Sequence, residues 1–195
     1  MPRVDLRVPI NDKDDAKRLG ARWDSQHKLW YVPERVDVAH FKKWLPEPLQ
    51  PNIRAPCYYL ATSTRRCWRC QGLTHVFGIA LPAEHEALIV EDDPVDDCWQ
   101  VGGAPTGLSY IGNLPEPVAA QLRRLAPRYR IDYSHTTQSF YWMNHCEHCE
   151  AKLGDFETLQ EFDGPFHTLG DTGVSQLPEI AEPFAAQCGS HTVYL

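Results

Sequence analysis

Cys67-Trp68-Arg69-Cys70-Gln71-Gly72 and Cys146-Glu147-His148-Cys149 decide how the larger part of this chain folds. Two sulfurs at C-x-x-C spacing reach one tetrahedral metal from a tight turn, and each turn supplies half of the four ligands. Cys67, Cys70, Cys146 and Cys149 are therefore assigned to one zinc site. Each pair follows a strand-like run, as a knuckle at a hairpin end does. Gly72 lets the backbone fold under the metal and aim amide N–H groups at sulfur, whereas the glycine nearest the second pair, Gly154, lies further off. Four thiolates and one Zn²⁺ leave a net charge of about −2, which Arg65, Arg66, Arg69 and Lys152 are placed to offset. The stretch between the halves far exceeds the roughly 15–20 residues usual between such pairs. The elements within residues 74–133 are expected to elaborate a zinc ribbon.

Two other chemistries compete for these cysteines. A redox dithiol needs a helix N-terminus after its first cysteine, and neither pair offers that signal. A catalytic zinc needs an open position, usually with His or a carboxylate among its ligands. His145 and His148 are near, yet out of register with a site already closed by four sulfurs. A closed structural Zn²⁺ is the expectation, contributing to folding rather than to chemistry.

Outward from the cysteines, the chain reads as α+β in four parts. Residues 1–46 form a small β-α-β-β-α module. Val4, Leu6 and Val8 alternate with polar residues as a half-buried strand does, and Asn11 or Asp12 caps a short helix stopped at Gly20. Trp23 and Trp30–Val32 flank a polar turn and predict a hairpin, and Val36 to Leu45 predict a second short helix. Residues 47–56 hold three prolines and read as a semi-rigid linker. A zinc-ribbon-like, β-rich domain occupies 57–160, with strands over 57–61, 74–81, 87–90, 129–133 and 140–143 and a helix over 115–126. Residues 161–195 read as an irregular acidic tail draped on that domain.

Charge and composition limit the function classes. The formal net charge is −7, with ten Lys/Arg against eight Asp/Glu in residues 1–50 and one against seven in residues 151–195. Overall acidity disfavours non-specific coating of nucleic acid but leaves a local basic face at the N-terminus. Seven cysteines is an odd count, which argues against a closed disulfide framework. No apolar run reaches a membrane span, and MPRVDLRVPIND has no apolar signal core, so a cytoplasmic location is predicted. Cys57, Cys98 and Cys188 read as buried apolar residues. The acidic run Glu91–Asp97 lacks the ligand spacing of a Ca²⁺ loop. No nucleophile stands with Asp132 and His135, and the reading is non-enzymatic.

The N-terminal cations Lys13, Lys17, Arg18, Arg22 and Lys28 are interleaved with Trp23, Trp30 and Tyr31. Cations beside exposed rings suit single-stranded or junction DNA through phosphate contacts and base stacking. Equally, the tryptophans can be the core of a very small module, Arg22 and Asp24 an internal ion pair, and the lysines a solvated face. The run Val8-Pro9, Lys13, Ala16-Lys17, Leu19 to Asp24, Lys28 and Trp30 to Pro33 resembles a small bacterial domain of unknown function. That domain occurs beside primase and helicase modules, so the resemblance implies a DNA-processing context. The same pattern is more loosely similar to the HARP domain of annealing helicases, which engages DNA forks. The cysteine region looks like a zinc-binding domain fused behind such modules. The alternative function is a protein-binding regulator or immunity-type protein using its aromatic and acidic surface.

Overall fold

The computed structural model describes residues 3–89, 98–161, 164–166 and 178–193. The acidic run Glu91–Asp97 lies outside them. The chain divides into two compact units, Met1–Pro48 with His135–Phe140, and Leu49–Ser134 with Tyr141–Leu195.

In the first unit, β1 (Val4–Leu6), β2 (Arg22–Asp24) and β3 (Leu29–Val32) form an antiparallel sheet in the order β1-β3-β2. Between β1 and β2 lies α1 (Lys13–Arg18), preceded by a 3₁₀ turn over Ile10–Asp12. Gly20, at φ +103°, ends α1 in the left-handed region that favours glycine. There Ala21 N–H reaches the Ala16 carbonyl at 2.9 Å and Gly20 N–H the Lys17 carbonyl at 3.0 Å, the two bonds of a Schellman cap.

The expected second helix of this unit is instead a 3₁₀ helix over Val38–Trp44, capped by the Asp37 carboxylate, which accepts from Ala39 N–H. Its apolar marks, Val38, Phe41 and Trp44, recur every third residue and so line one side of a three-residue turn. Leu6, Ala16, Ala21, Val32, Phe41 and Trp44 form the core.

The second unit carries an eight-stranded sheet in the order β13-β5-β6-β9-β14-β4-β7-β8. Its strands are β4 (Ile53–Ala55), β5 (Tyr58–Arg66), β6 (Leu73–Leu81), β7 (Glu86–Ile89), β8 (Cys98–Val101), β9 (Thr106–Asn113), β13 (Glu179–Ile180) and β14 (Phe184–Val193). A second sheet joins β10 (Tyr129–Ser134), β11 (Ser139–His145) and β12 (Lys152–Leu153). One helix, α2 (Glu116–Leu125), buries Val118, Ala119 and Leu122. Alternation along β6 feeds two clusters. Ile79 and Leu81 pack with the α2 residues, while Val76 and Ala80 pack with Cys67, Cys146, Leu159 and Phe166. Burial on both sides explains why the GIAL run of β6 is continuously apolar.

The fold class is therefore corrected from α+β to mainly β. Three antiparallel sheets dominate, and the two α-helices among the described residues are six and ten residues long. Two stretches drive the difference. Within the expected linker, Ile53–Ala55 pair with both β14 and β7. Within the expected irregular tail, Phe184–Val193 lies between β9 and β4. The large sheet is thus the frame, and the cysteine turns are carried on hairpin ends.

Candidate metal centre and nucleic-acid interface

The two C-x-x-C turns have the same backbone construction. Cys67 N–H donates to the Gly72 carbonyl and Gln71 N–H to the Cys67 carbonyl, both at 2.9 Å. Cys146 N–H donates to the Ala151 carbonyl at 2.9 Å and Glu150 N–H to the Cys146 carbonyl at 3.0 Å. The residue after each second cysteine takes the left-handed conformation, Gln71 at φ 59° and Glu150 at φ 60°. Each turn closes a hairpin at an equivalent pair, Arg66 opposite Leu73 and His145 opposite Lys152.

Gly72 is accordingly not the left-handed residue. A Cβ there would lie 2.9 Å from His148 Cδ2 and 3.5 Å from Cys70 Sγ, so glycine makes room for a ring from the opposite turn.

Side chains then stitch the turns to each other. Trp68 Nε1 donates to the Lys152 carbonyl at 2.9 Å, and His148 Nε2 donates to the Leu73 carbonyl at 2.8 Å. These carbonyls occupy the same place in the two hairpins, so the reach is reciprocal. Glu147 N–H donates to Thr74 Oγ1 at 3.0 Å, and the Glu147 carboxylate accepts from His75 N–H at 3.0 Å. Deeper, the buried Asn144 amide accepts from Phe77 N–H and donates to the Phe77 carbonyl, both at 2.8 Å. It joins β11 to β6 where no strand pairing does. Sequence reasoning missed Asn144, because a polar residue two before a cysteine carries no signal of a partner in a distant strand.

The four sulfurs consequently converge, all within 4.8 Å of one another. Cys67 Sγ and Cys149 Sγ are 3.6 Å apart, as are Cys70 Sγ and Cys146 Sγ. Four sulfurs at about 2.3 Å from one zinc stand about 3.8 Å apart, and a disulfide needs about 2.05 Å. The donor set and spacing fit a tetrahedral thiophilic metal ion such as zinc, and all four cysteines are free thiols. Backbone N–H groups also point at sulfur, as Arg69 N–H does towards Cys67 Sγ at 3.4 Å. Against an opposing effect of burial, the backbone N–H groups of Cys149 and His148 draw the Cys146 thiol down to about 6.

Three of the four neighbouring cations have partners elsewhere than on sulfur. Arg65 bonds Glu157 and Thr158, Arg66 bonds the Gln71 carbonyl, and Lys152 bonds Asp132 and the Tyr133 carbonyl. His145 is outside the cluster and buried, its Nε2 3.0 Å from Asp132 Oδ2. Of the single cysteines, Cys188 is buried, and burial pushes its thiol up to about 12. Cys98, expected to be buried, is exposed on edge strand β8.

In the first unit the eight residues singled out by sequence do not gather on one face. Val4, Leu6, Trp30 and Val32 face the core, and Trp23 stands opposite Trp30 with ring centroids 5.6 Å apart. Trp30 belongs to the core packing, whereas Trp23 is 48% exposed. Arg22 stands opposite Tyr31 one position along, on the outer side of the sheet. Lys13 and Lys17 are exposed on α1, whose Ala16 packs into the core. Lys28 lies in the β2–β3 turn at φ 56°, and Arg18 pairs with Asp15.

Asp24 does not pair with Arg22. The His27 side chain, the His27 and Gln26 backbone N–H groups and Arg3 hold its carboxyl well below the usual range. The side chains of Lys13, Lys17, Arg22, Lys28 and Arg35 form no ion pair or hydrogen bond among the described residues. Arg35 was absent from the sequence reading, since it lies outside the aromatic run.

Comparison with known proteins adds context for this unit. Residues 3–46 match the family model described as Domain of unknown function (DUF5710). A 53-residue segment, 27% of this chain, is 56% identical to a DNA primase TraC of Escherichia coli and spans 5% of that protein. A second DNA primase TraC of Escherichia coli is 56% identical over 39 residues, 20% of this chain and 3% of its own length. No solved structure matches. No helix among the described residues is long and apolar enough to cross a membrane.

Proposed function

We propose that this chain is a zinc-binding, non-enzymatic protein that serves DNA processing in the cytoplasm. In this reading the first unit contacts single-stranded or junction DNA. Cys67, Cys70, Cys146 and Cys149 hold one structural Zn²⁺, which fixes the two hairpin ends of the second unit. The observation that carries the DNA reading is the 56% identity of the N-terminal segment to a DNA primase. The cations Lys13, Lys17, Arg22 and Lys28, unpaired among the described residues, and the exposed ring of Trp23 support it, because phosphates and bases need those groups. For the metal, the support is the convergence of four sulfurs held by matched turns.

The test is binding of the full chain to labelled single-stranded and forked DNA over a series of salt concentrations. Binding that weakens as salt rises is expected; absence of binding at low salt overturns the DNA reading. A second reading, a protein-binding regulator or immunity-type protein, is favoured by one observation. Trp68 and Leu73, which flank the cysteine cluster, are 59% and 58% exposed. Recovery of a stoichiometric protein partner with no nucleic acid would select it.

A further inference from the structure

The first unit contains an open cleft of about 510 Å³ lined by Gly20, Arg22, Tyr31, Pro33, Glu34, Arg35 and Val36. That volume falls within the roughly 300–1,000 Å³ range of small-molecule sites. Three independent elements build it. Arg22 comes from β2, Tyr31 from the centre of β3, and Arg35 from a turn closed by Val36 N–H donating to the Pro33 carbonyl at 3.0 Å. The turn is braced against the end of α1, since a Cβ on Gly20 would lie 3.4 Å from Val36 Cγ1.

Two guanidinium groups in this lining lack any ion pair or side-chain hydrogen bond among the described residues. Elsewhere in the unit arginine is already engaged: Arg3 binds Asp5 and Asp24, and Arg18 binds Asp15. Each free guanidinium presents a planar fork of N–H donors that matches phosphate oxygens. Tyr31 adds an aromatic surface. One part of its ring lies beneath the Arg3 guanidinium, 4.3 Å from the centroid, and Arg3 is not in the lining. An aromatic side chain in the lining is the kind of surface on which a base stacks. Glu34 is the single acid in the lining and opposes an anion.

We infer that this cleft holds one nucleotide unit of single-stranded DNA, with the phosphate between Arg22 and Arg35 and the base against Tyr31. The inference rests on the DNA reading above and narrows it to one face of the sheet. Lys13 and Lys17 are then peripheral, and Trp30 is structural.

The experiment measures binding of the full chain to a fluorescent oligothymidylate at low salt, with circular dichroism confirming the fold of each variant. Arg22→Ala with Arg35→Ala is expected to weaken binding by about tenfold or more and to flatten the salt dependence. Arg22→Lys, which keeps the charge but loses the fork, should fall between. Glu34→Gln should tighten binding at least twofold, a gain that a merely structural role would not give. Lys42→Ala, on the 3₁₀ helix and outside the lining, should stay within about twofold of wild type. Thymidine monophosphate should compete better than inorganic phosphate, which separates recognition of a nucleotide from that of a bare anion.

If wild type binds and the double arginine variant binds equally well, the cleft is not the site, and the broader DNA reading stands. Unchanged or weaker binding by Glu34→Gln also overturns the cleft. If wild type does not bind, both fall.

Discussion

The two cysteine turns share a backbone pattern but not a foundation. The first closes β5 and β6, which exchange eight cross-strand pairs from Tyr59–Ala80 to Arg66–Leu73 within the large sheet. The second closes β11 and β12, which share two pairs, Asn144–Leu153 and His145–Lys152. A hairpin of two pairs is unstable alone in water. The first turn is therefore held mainly by the sheet beneath it. The second rests on a smaller three-stranded sheet, where β10 supplies Arg130 to Glu150 and the Tyr133 carbonyl to Lys152, and on what crosses to the first turn: the four-sulfur cluster, the Asn144 amide, Glu147 and the His148 ring. Identical local geometry thus serves opposite purposes, an anchor on one side and a tethered arm on the other.

This asymmetry can be broken in graded steps. Removing the metal has the largest expected effect, because binding of a structural zinc is also folding free energy. A chelator or Cys146→Ser should release backbone amides of residues 146–153 to hydrogen exchange well before those of residues 59–80. Simultaneous loss from both turns would contradict the asymmetry.

Next comes Asn144→Leu, which strands Phe77 N–H and its carbonyl in the interior. A loss of about 2–4 kcal/mol is expected for two such groups, read as a lower urea midpoint at unchanged m. Asn144→Asp keeps the acceptor and should cost less.

The third step uses Asp155, immediately beyond β12. It is fully buried, and although Tyr110 N–H donates to its Oδ2 at 2.7 Å, burial raises its carboxyl to about 7. The folded chain therefore keeps a proton that an unfolded chain releases near pH ~4. Stability from this group is complete below that pH and is lost as pH rises through about 7. Asp155→Asn should flatten that part of the stability profile between pH 5 and 8; an unchanged slope would assign it to other groups. The smallest step is Gly72→Ala. It displaces His148 from the Leu73 carbonyl at about 1 kcal/mol, and the cost should largely vanish in a His148→Ala background.

The convergence of the four cysteines was legible from spacing, because C-x-x-C geometry is local and both turns follow recognisable strands. The stitching was not legible, since Asn144, Glu147 and His148 act on residues some seventy positions away. The same division runs through the fold. Strands rich in apolar residues, β6 and β11, were anticipated within about two residues, whereas β5, expected over 57–61, continues through polar residues to Arg66. By contrast β14, Phe-Ala-Ala-Gln-Cys-Gly-Ser-His-Thr-Val, buries Phe184, Ala186 and Cys188 at alternate positions, but small residues on both sides hide that period in the sequence. It also shifts register twice against β9. Proline masked β4, whose three residues are bounded by Pro51 and Pro56. In the first unit the hairpin was readable, while the sequence left open which tryptophan is core. Which side of the sheet each cation takes was not, because it depends on register.

The central claim is that one zinc closed by four sulfurs ties the tethered arm to the anchored one. Zinc-edge X-ray absorption on the purified full chain tests it most directly. The account predicts one zinc per chain with a shell of four sulfurs at about 2.3 Å. A shell containing nitrogen or oxygen, or a zinc-free chain with disulfide-linked pairs, would contradict it.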